Sequence, residues 1–146
     1  MAVITLERVV PRPLSAVWAV VSDVAGHRLP VTRLETDPGT PGVGWRFVAV
    51  TGWGRLAFAD AMVITRWHPP VAGSKSADYA IVKTGRWLGG WAEVHLQALD
   101  PGNTRLTWSE EIVLHPHALG RLVAPLSDRA VRRLFADAVS DMVSRA

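Results

Sequence analysis

The chain has 146 residues, 49% of them hydrophobic and 20% charged, which fits one folded domain with a core of ordinary size and argues against disorder. The absence of Cys excludes disulfides, thiol nucleophiles and thiolate zinc sites. The net charge is +3, but its 14 Arg and 2 Lys are scattered rather than clustered, so nucleic acid is not an expected partner.

In chain order, residues 2–10 read as a strand rich in Val, Ile and Thr, ended by Pro11-Arg12-Pro13. Ser15 is a candidate cap for a short helix carrying Val17, Trp18, Val20 and Val21. Asp23 is placed to cap a second short turn through Gly26-His27-Arg28, which Pro30 stops. A strand is expected over 32–37, then a loop of Asp, Pro, Gly and Thr over 37–42.

Hairpins follow. Residues 44–51 alternate, with Trp45, Phe47 and Ala49 on one face and Arg46, Val48 and Val50 on the other. Gly52-Trp53-Gly54 turns the chain into a long strand over 55–67, ended by His68-Pro69-Pro70. The next strand covers 77–87, and Leu88-Gly89-Gly90 is read as its turn. Strands over 91–99 and 104–114 flank the turn Asp100-Pro101-Gly102-Asn103. Connections this short imply antiparallel neighbours.

From about 117 to 145 the apolar period becomes helical, with Leu119, Leu122, Val123, Leu126, Val131, Leu134, Phe135, Ala138, Val139, Met142 and Val143 on one stripe. Pro125 predicts a kink or break there, with Ser127 or Asp128 recapping the second part. A helix of this length needs a surface to cover, and the preceding sheet supplies it. The expected fold class is α+β: strand, two short helices, about six strands, long helix.

The strand faces bear on an interior. Over 104–114, Leu106, Trp108, Glu110, Ile112 and Leu114 share the face expected to point inward. A carboxylate among such groups is costly unless paired, hydrated or protonated, so Glu110 is either a polar anchor or an acid with a raised pKa. The bland alternative is a Glu paired to an Arg or reaching solvent. Over 55–67, Leu56, Phe58, Asp60, Met62, Ile64 and Arg66 share one face and Ala57, Ala59, Ala61, Val63 and Thr65 the other. The Phe58 and Met62 face is taken as inward, which makes Asp60 a second interior carboxylate; a bulge would reverse it. Ala92, Val94, Leu96 and Ala98 oppose Glu93, His95 and Gln97, and the small Ala residues favour a cavity over a solid core. The faces over 77–87, with Tyr79 and Ile81 opposite Ala80 and Val82, are not orientable from sequence.

Other motifs carry less. Gly39-Thr40-Pro41-Gly42-Val43-Gly44 precedes a strand rather than a helix, so it reads as a turn and not a phosphate cradle. His115-Pro116-His117 has no third ligand nearby in sequence; no metal and no cofactor is expected. His68 and His27 are candidates for a pocket mouth, without a Ser or Asp at triad spacing. Trp87 and Trp91 read as cross-strand packing residues more readily than as a gate. No basic region precedes an apolar run at the N-terminus, and no stretch is apolar enough to span a bilayer, so a cytoplasmic location without membrane insertion is the expectation.

Four segments carry a family resemblance: Val17-Trp18-Ala19-Val20-Val21-Ser22-Asp23, residues 54–62, Thr65-Arg66-Trp67-His68-Pro69-Pro70, and residues 104–111. With the order of elements, they make the chain similar to the START-like helix-grip (SRPBCC) superfamily, in its polyketide cyclase/dehydrase and lipid-transport branch. The resemblance implies a curved antiparallel sheet of about seven strands wrapped around the long C-terminal helix, with an apolar cavity between them. It implies a small hydrophobic ligand, lipid or polyketide-like, and no catalytic residue carries over by motif. Combined with the strand faces, the expected ligand-binding residues are Phe58, Asp60, Met62, Leu106, Trp108, Glu110, Ile112, Leu134, Phe135 and Ala138. Arg46 is a weaker polar anchor. The alternative is a cyclase or dehydratase using Glu110 or Asp60 as general acid/base. A homodimeric interaction module ranks third.

Overall fold

The computed structural model describes residues 3–26, 31–115, 133, 136, 137, 140, 141 and 143–145. Seven strands form one curved antiparallel sheet: β1 (Val3–Val10), β2 (Thr32–Thr36), β3 (Arg46–Thr51), β4 (Phe58–His68), β5 (Ser76–Thr84), β6 (Leu88–Asp100) and β7 (Asn103–Leu114). Their spatial order is β1-β7-β6-β5-β4-β3-β2. Only β1 and β7 pair across the length of the chain. The strands from β2 to β7 are joined as successive hairpins, as short connections require.

Between β1 and β2 lies helix α1 (Leu14–Val21). Ser15 does not cap it. The helix starts two residues earlier than that cap implies, behind Pro13, whose missing N–H costs nothing at a helix start. Leu14, Val17 and Val21 are buried, and at about 1.5–3 kcal/mol for each fully buried side chain they hold α1 on the sheet. Asp23 caps a 3-10 turn over Val24–Gly26, accepting a hydrogen bond from Gly26 N–H at 3.1 Å.

The concave face of the sheet and α1 share one core: Val10, Leu14, Val17, Val21, Val24, Trp45, Phe47, Ala49, Met62, Ile64, Ala77, Tyr79, Ile81, Ala92, Val94, Leu96 and Leu106. The inward faces expected for β6 and β7 are the observed ones; that of β4 holds from Phe58 to Ile64 but not at Leu56, which is exposed in the turn before the strand. The register of β4 against β5 shifts between Ile64 and Arg66. Such a bulge flips the side chains beyond it. Trp67 therefore joins the core, edge-to-face on Trp18 at 5.0 Å, while Arg66 turns to the convex face and pairs with Asp78.

Two sequence-based turns move. Residues 54–56 form a 3-10 turn, so the long strand begins at Phe58 rather than 55. The β5–β6 turn occupies 85–87, and Leu88, Gly89 and Gly90 lie within β6 instead of forming the turn. The described residues of the C-terminal segment, 133 to 145, are helical, and Val143 is packed against the core. The expected kink at Pro125 and the caps at Ser127 and Asp128 lie outside the described residues.

Candidate functional site

Tyr79, Ile81 and Lys83 of β5 face inward, the orientation that alternation could not assign. Lys83 Nζ lies 2.6 Å from Asp60 Oδ2 and 3.3 Å from Glu110 Oε1. Their side chains are 7%, 14% and 6% exposed, respectively. One ammonium on β5 thus bridges a carboxylate on β4 and another on β7, on a face that is otherwise almost wholly apolar.

The register explains how the three meet. Met62 of β4 is opposite Lys83, and Asp60 stands two residues away on the same face. On the other side, Lys83 is opposite Gly90, and Glu110 is opposite Ala92, both across β6. Glu110 is therefore not on a neighbouring strand. Lys83 must pass over β6, and β6 offers only a hydrogen and a methyl group at the positions it crosses. Gly90 is held there by two constraints. Its φ is +116°, and an added Cβ would come within 2.0 Å of the Glu111 carbonyl oxygen. On the β4 side, Met62 Sδ lies 3.8 Å from Lys83 Nζ.

The electrostatics follow from a two-to-one ratio of acids to base in a buried place. Burial raises the Glu110 pKa, the nearby Asp60 charge raises it further, and Lys83 and the Trp108 indole oppose this without cancelling it. For Lys83, burial favours loss of the proton, but Glu110 first and Asp60 second outweigh it, and its pKa is raised. Both directions have one cause. The group resists carrying a net negative charge away from water, so it keeps its protons. Among the described residues, the buried Asp60 Oδ1 atom has no hydrogen-bond partner. Tyr79 closes the core beneath: burial, and then the charge of Glu110, raises its pKa, and its hydroxyl donates to Val21 O at 2.9 Å.

The remaining expected site residues are distributed as follows. Phe58, Met62, Leu106, Trp108 and Ile112 share the concave face with the charged group; Met62 and Leu106 are buried and the others half-buried. Leu134, Phe135 and Ala138 lie outside the described residues, as does His27. Arg46 is not an inner anchor: it is exposed, with its Nε 3.3 Å from Asp37. Neither is His68 at the charged group; it is exposed at the opposite end of β4 and meets Asp78 at 3.1 Å. Trp91 donates to Glu111 at 2.8 Å on the convex face, and Trp87 is exposed. An open cleft of about 390 Å³, lined by Leu14, Val71, Ala98 and Pro101 among others, lies away from Lys83.

Lys83 itself was missed by sequence reasoning. A signal existed. It is one of 2 Lys in a chain that uses 14 Arg, and it stands in an apolar, alternating strand. A flexible ammonium on a thin stem fits beneath other side chains where a planar guanidinium does not.

No protein-family model matches the chain, and no curated protein does. Solved structures match along almost its whole length. A Thermus thermophilus protein superposes with a TM-score of 0.76 at 14% identity, over 99% of this chain and 96% of its own. The Zhui aromatase/cyclase from Streptomyces sp. R1128 gives 0.67 at 17% identity, over 97% and 90%. Norcoclaurine synthase from Thalictrum flavum gives 0.62 at 21% identity, over 97% and 93%. The chain has the START-like helix-grip fold. Another norcoclaurine synthase structure with that fold, 20% identical to this chain, is in complex with dopamine and hydroxybenzaldehyde. At such identities the likeness concerns the fold, and chemistry has to be argued from this chain's own residues.

Proposed function

We propose that the chain is a single-domain, cytoplasmic protein of the polyketide cyclase/dehydrase and lipid-transport branch that binds a small hydrophobic molecule between its concave sheet and its C-terminal helix. The observation that carries the reading is the Asp60–Lys83–Glu110 group, set into an apolar face. A solid core would place aliphatic residues there, since burying three ionisable groups rarely stabilises a fold. An apolar pocket with a few convergent polar groups is the usual design of a ligand site. Phe58, Met62, Leu106, Trp108 and Ile112 form its described wall. The charged group takes the polar end of the ligand. A fold neighbour in complex with dopamine and hydroxybenzaldehyde supports a small-molecule ligand.

The convergence of Lys83 on Glu110 favours a second reading, a cyclase or dehydratase. On a β-hydroxy ketone, one carboxylate removes the proton next to the carbonyl. The Lys83 ammonium or protonated Glu110 gives a proton to the departing hydroxyl, which leaves as water, and the proton taken up by the carboxylate restores the group. A raised Glu110 pKa suits a donor of this kind.

Titration with a long-chain fatty acid, a sterol and an aromatic polyketide mimic, followed by tryptophan fluorescence, tests the binding reading. Saturable quenching or enhancement by at least one probe supports it, and no response to any probe defeats it. Turnover of the polyketide mimic that vanishes in Glu110→Gln while binding persists selects the enzyme. Unchanged recovery of the bound probe selects the carrier.

A further inference from the structure

Two loops at one end of the sheet carry exposed apolar side chains that the ligand site does not use. In the β3–β4 connection Trp53 is 77% and Leu56 89% exposed, and in the β5–β6 connection Trp87 is 52% exposed. Backbone geometry places them at the same end. An added Cβ at Gly85 would lie 3.5 Å from Ala61 N, near the start of β4, and His115 N–H, just past β7, donates to Trp87 O at 2.9 Å. Val31, also exposed, joins this rim through its carbonyl, which accepts from Gly52 N–H at 3.1 Å. Trp53 and Trp87 are the exposed Trp side chains among the described residues; elsewhere the large exposed apolar side chains are Val and Leu.

Charge selects the occupant. The two connections, 52–57 and 85–87, contain Arg55 and Arg86 and no carboxylate, in a chain of net charge +3. The Arg86 guanidinium lies 5.7 Å from the centre of the Trp87 ring. Indole rings interleaved with guanidinium groups match the layered chemistry of a bilayer surface. The rings sit at headgroup level and the cations meet anionic phosphates.

We propose that this end of the molecule docks peripherally on an anionic lipid surface, with Trp53, Leu56 and Trp87 at the level of the headgroups and Arg55 and Arg86 on the phosphates. The docking needs no inserted helix. It brings the sheet end that carries Asp60 and Lys83 against the membrane, but it stands whether or not those residues hold a ligand.

Flotation with phosphatidylcholine vesicles, with and without phosphatidylglycerol, tests it on the full chain. The wild type is expected to float with the anionic vesicles and to be released by high salt. Replacing both Arg55 and Arg86 by Ala is expected to weaken that partitioning about thirtyfold, at about 1 kcal/mol per basic side chain near the surface. Trp53→Ser with Leu56→Ser is expected to abolish it. These residues are exposed, so circular dichroism and the melting temperature should stay at wild-type values. Equal partitioning of wild type and variants, no flotation, or substitutions whose effect is instead to dissolve a dimer in sedimentation would each overturn the proposal.

Discussion

Lys83 is a single side chain with two obligations, and its removal exposes both. Lys83→Met leaves two buried carboxylates without a cation, a change that costs about 3–5 kcal/mol when such a pair is broken. Urea unfolding at neutral pH should show that loss. The loss should shrink under acidic conditions, where Glu110 can take a proton. Lys83→Met combined with Glu110→Gln should recover part of it, because the second change removes one of the stranded charges.

Glu110 itself predicts a pH dependence of defined sign. Its folded pKa lies above the ordinary value of 4.5, so the folded state holds that proton more tightly than the unfolded state. Its contribution to stability is largest below 4.5 and declines as pH rises through the folded pKa. Glu110→Gln should therefore be at least as stable as wild type at pH about 7, with the advantage shrinking towards pH about 4.5. Asp78 on the convex face runs the other way. Burial pushes its pKa up, but Arg66 and then His68 outweigh this and hold it below its ordinary 3.8. Its contribution is present above 3.8 and is lost as pH falls further, so Asp78→Asn should flatten the acid limb of the stability curve.

At the scale of the element, β6 decides whether the three charges meet. Gly90 has a backbone conformation that side chains rarely adopt and no room for a Cβ. Gly90→Ala should cost at least about 2 kcal/mol in a thermal or urea melt. It should also displace β6 against β7 and loosen the link between Lys83 and Glu110. A readout beyond stability is the pH profile, since the Glu110-dependent decline should weaken in this variant.

The same scale shows what was legible in the sequence. The inward faces of β6 and β7 follow from strict alternation, so the residue pattern alone places Leu106, Trp108, Glu110 and Ile112. Asp60 could be placed because the bulge of β4 falls after Ile64, beyond it. Arg66 could not, because one extra residue reverses the parity and nothing in Thr65-Arg66-Trp67 announces it. Lys83 was hidden for a related reason. Both faces of β5 are apolar through Ala80, Ile81 and Val82, since α1 covers one and neighbouring side chains shield the other, so alternation carried no direction. Gly89-Gly90 mimics a hairpin turn in composition, yet Gly90 serves close strand approach within β6.

At the scale of the molecule, the sheet concentrates different chemistry on its two faces and its two ends. The convex face carries the Arg66, Asp78, Glu93 and His95 network, with its ordinary solvent-screened ion pairs. The concave face carries the charges whose burial has to be explained. At one end α1 seals the core; towards the other lie Asp60, Lys83 and the exposed Trp53, Leu56 and Trp87. A protein that takes up an apolar molecule at a lipid surface would have this polarity, with the polar anchor near the docking end.

If the concave face holds a small hydrophobic molecule whose polar end meets Lys83 and its two carboxylates, the purified protein should carry or take up such a molecule. Native mass spectrometry of the purified full chain, followed by organic extraction, addresses it most directly. A discrete adduct is expected on the wild-type protein, one that organic solvent releases as an apolar molecule with a polar end. Less adduct is expected on Lys83→Met than on wild type at equal folded fraction. A bare protein mass that stays bare after incubation with fatty acid, sterol and aromatic polyketide probes would contradict that expectation.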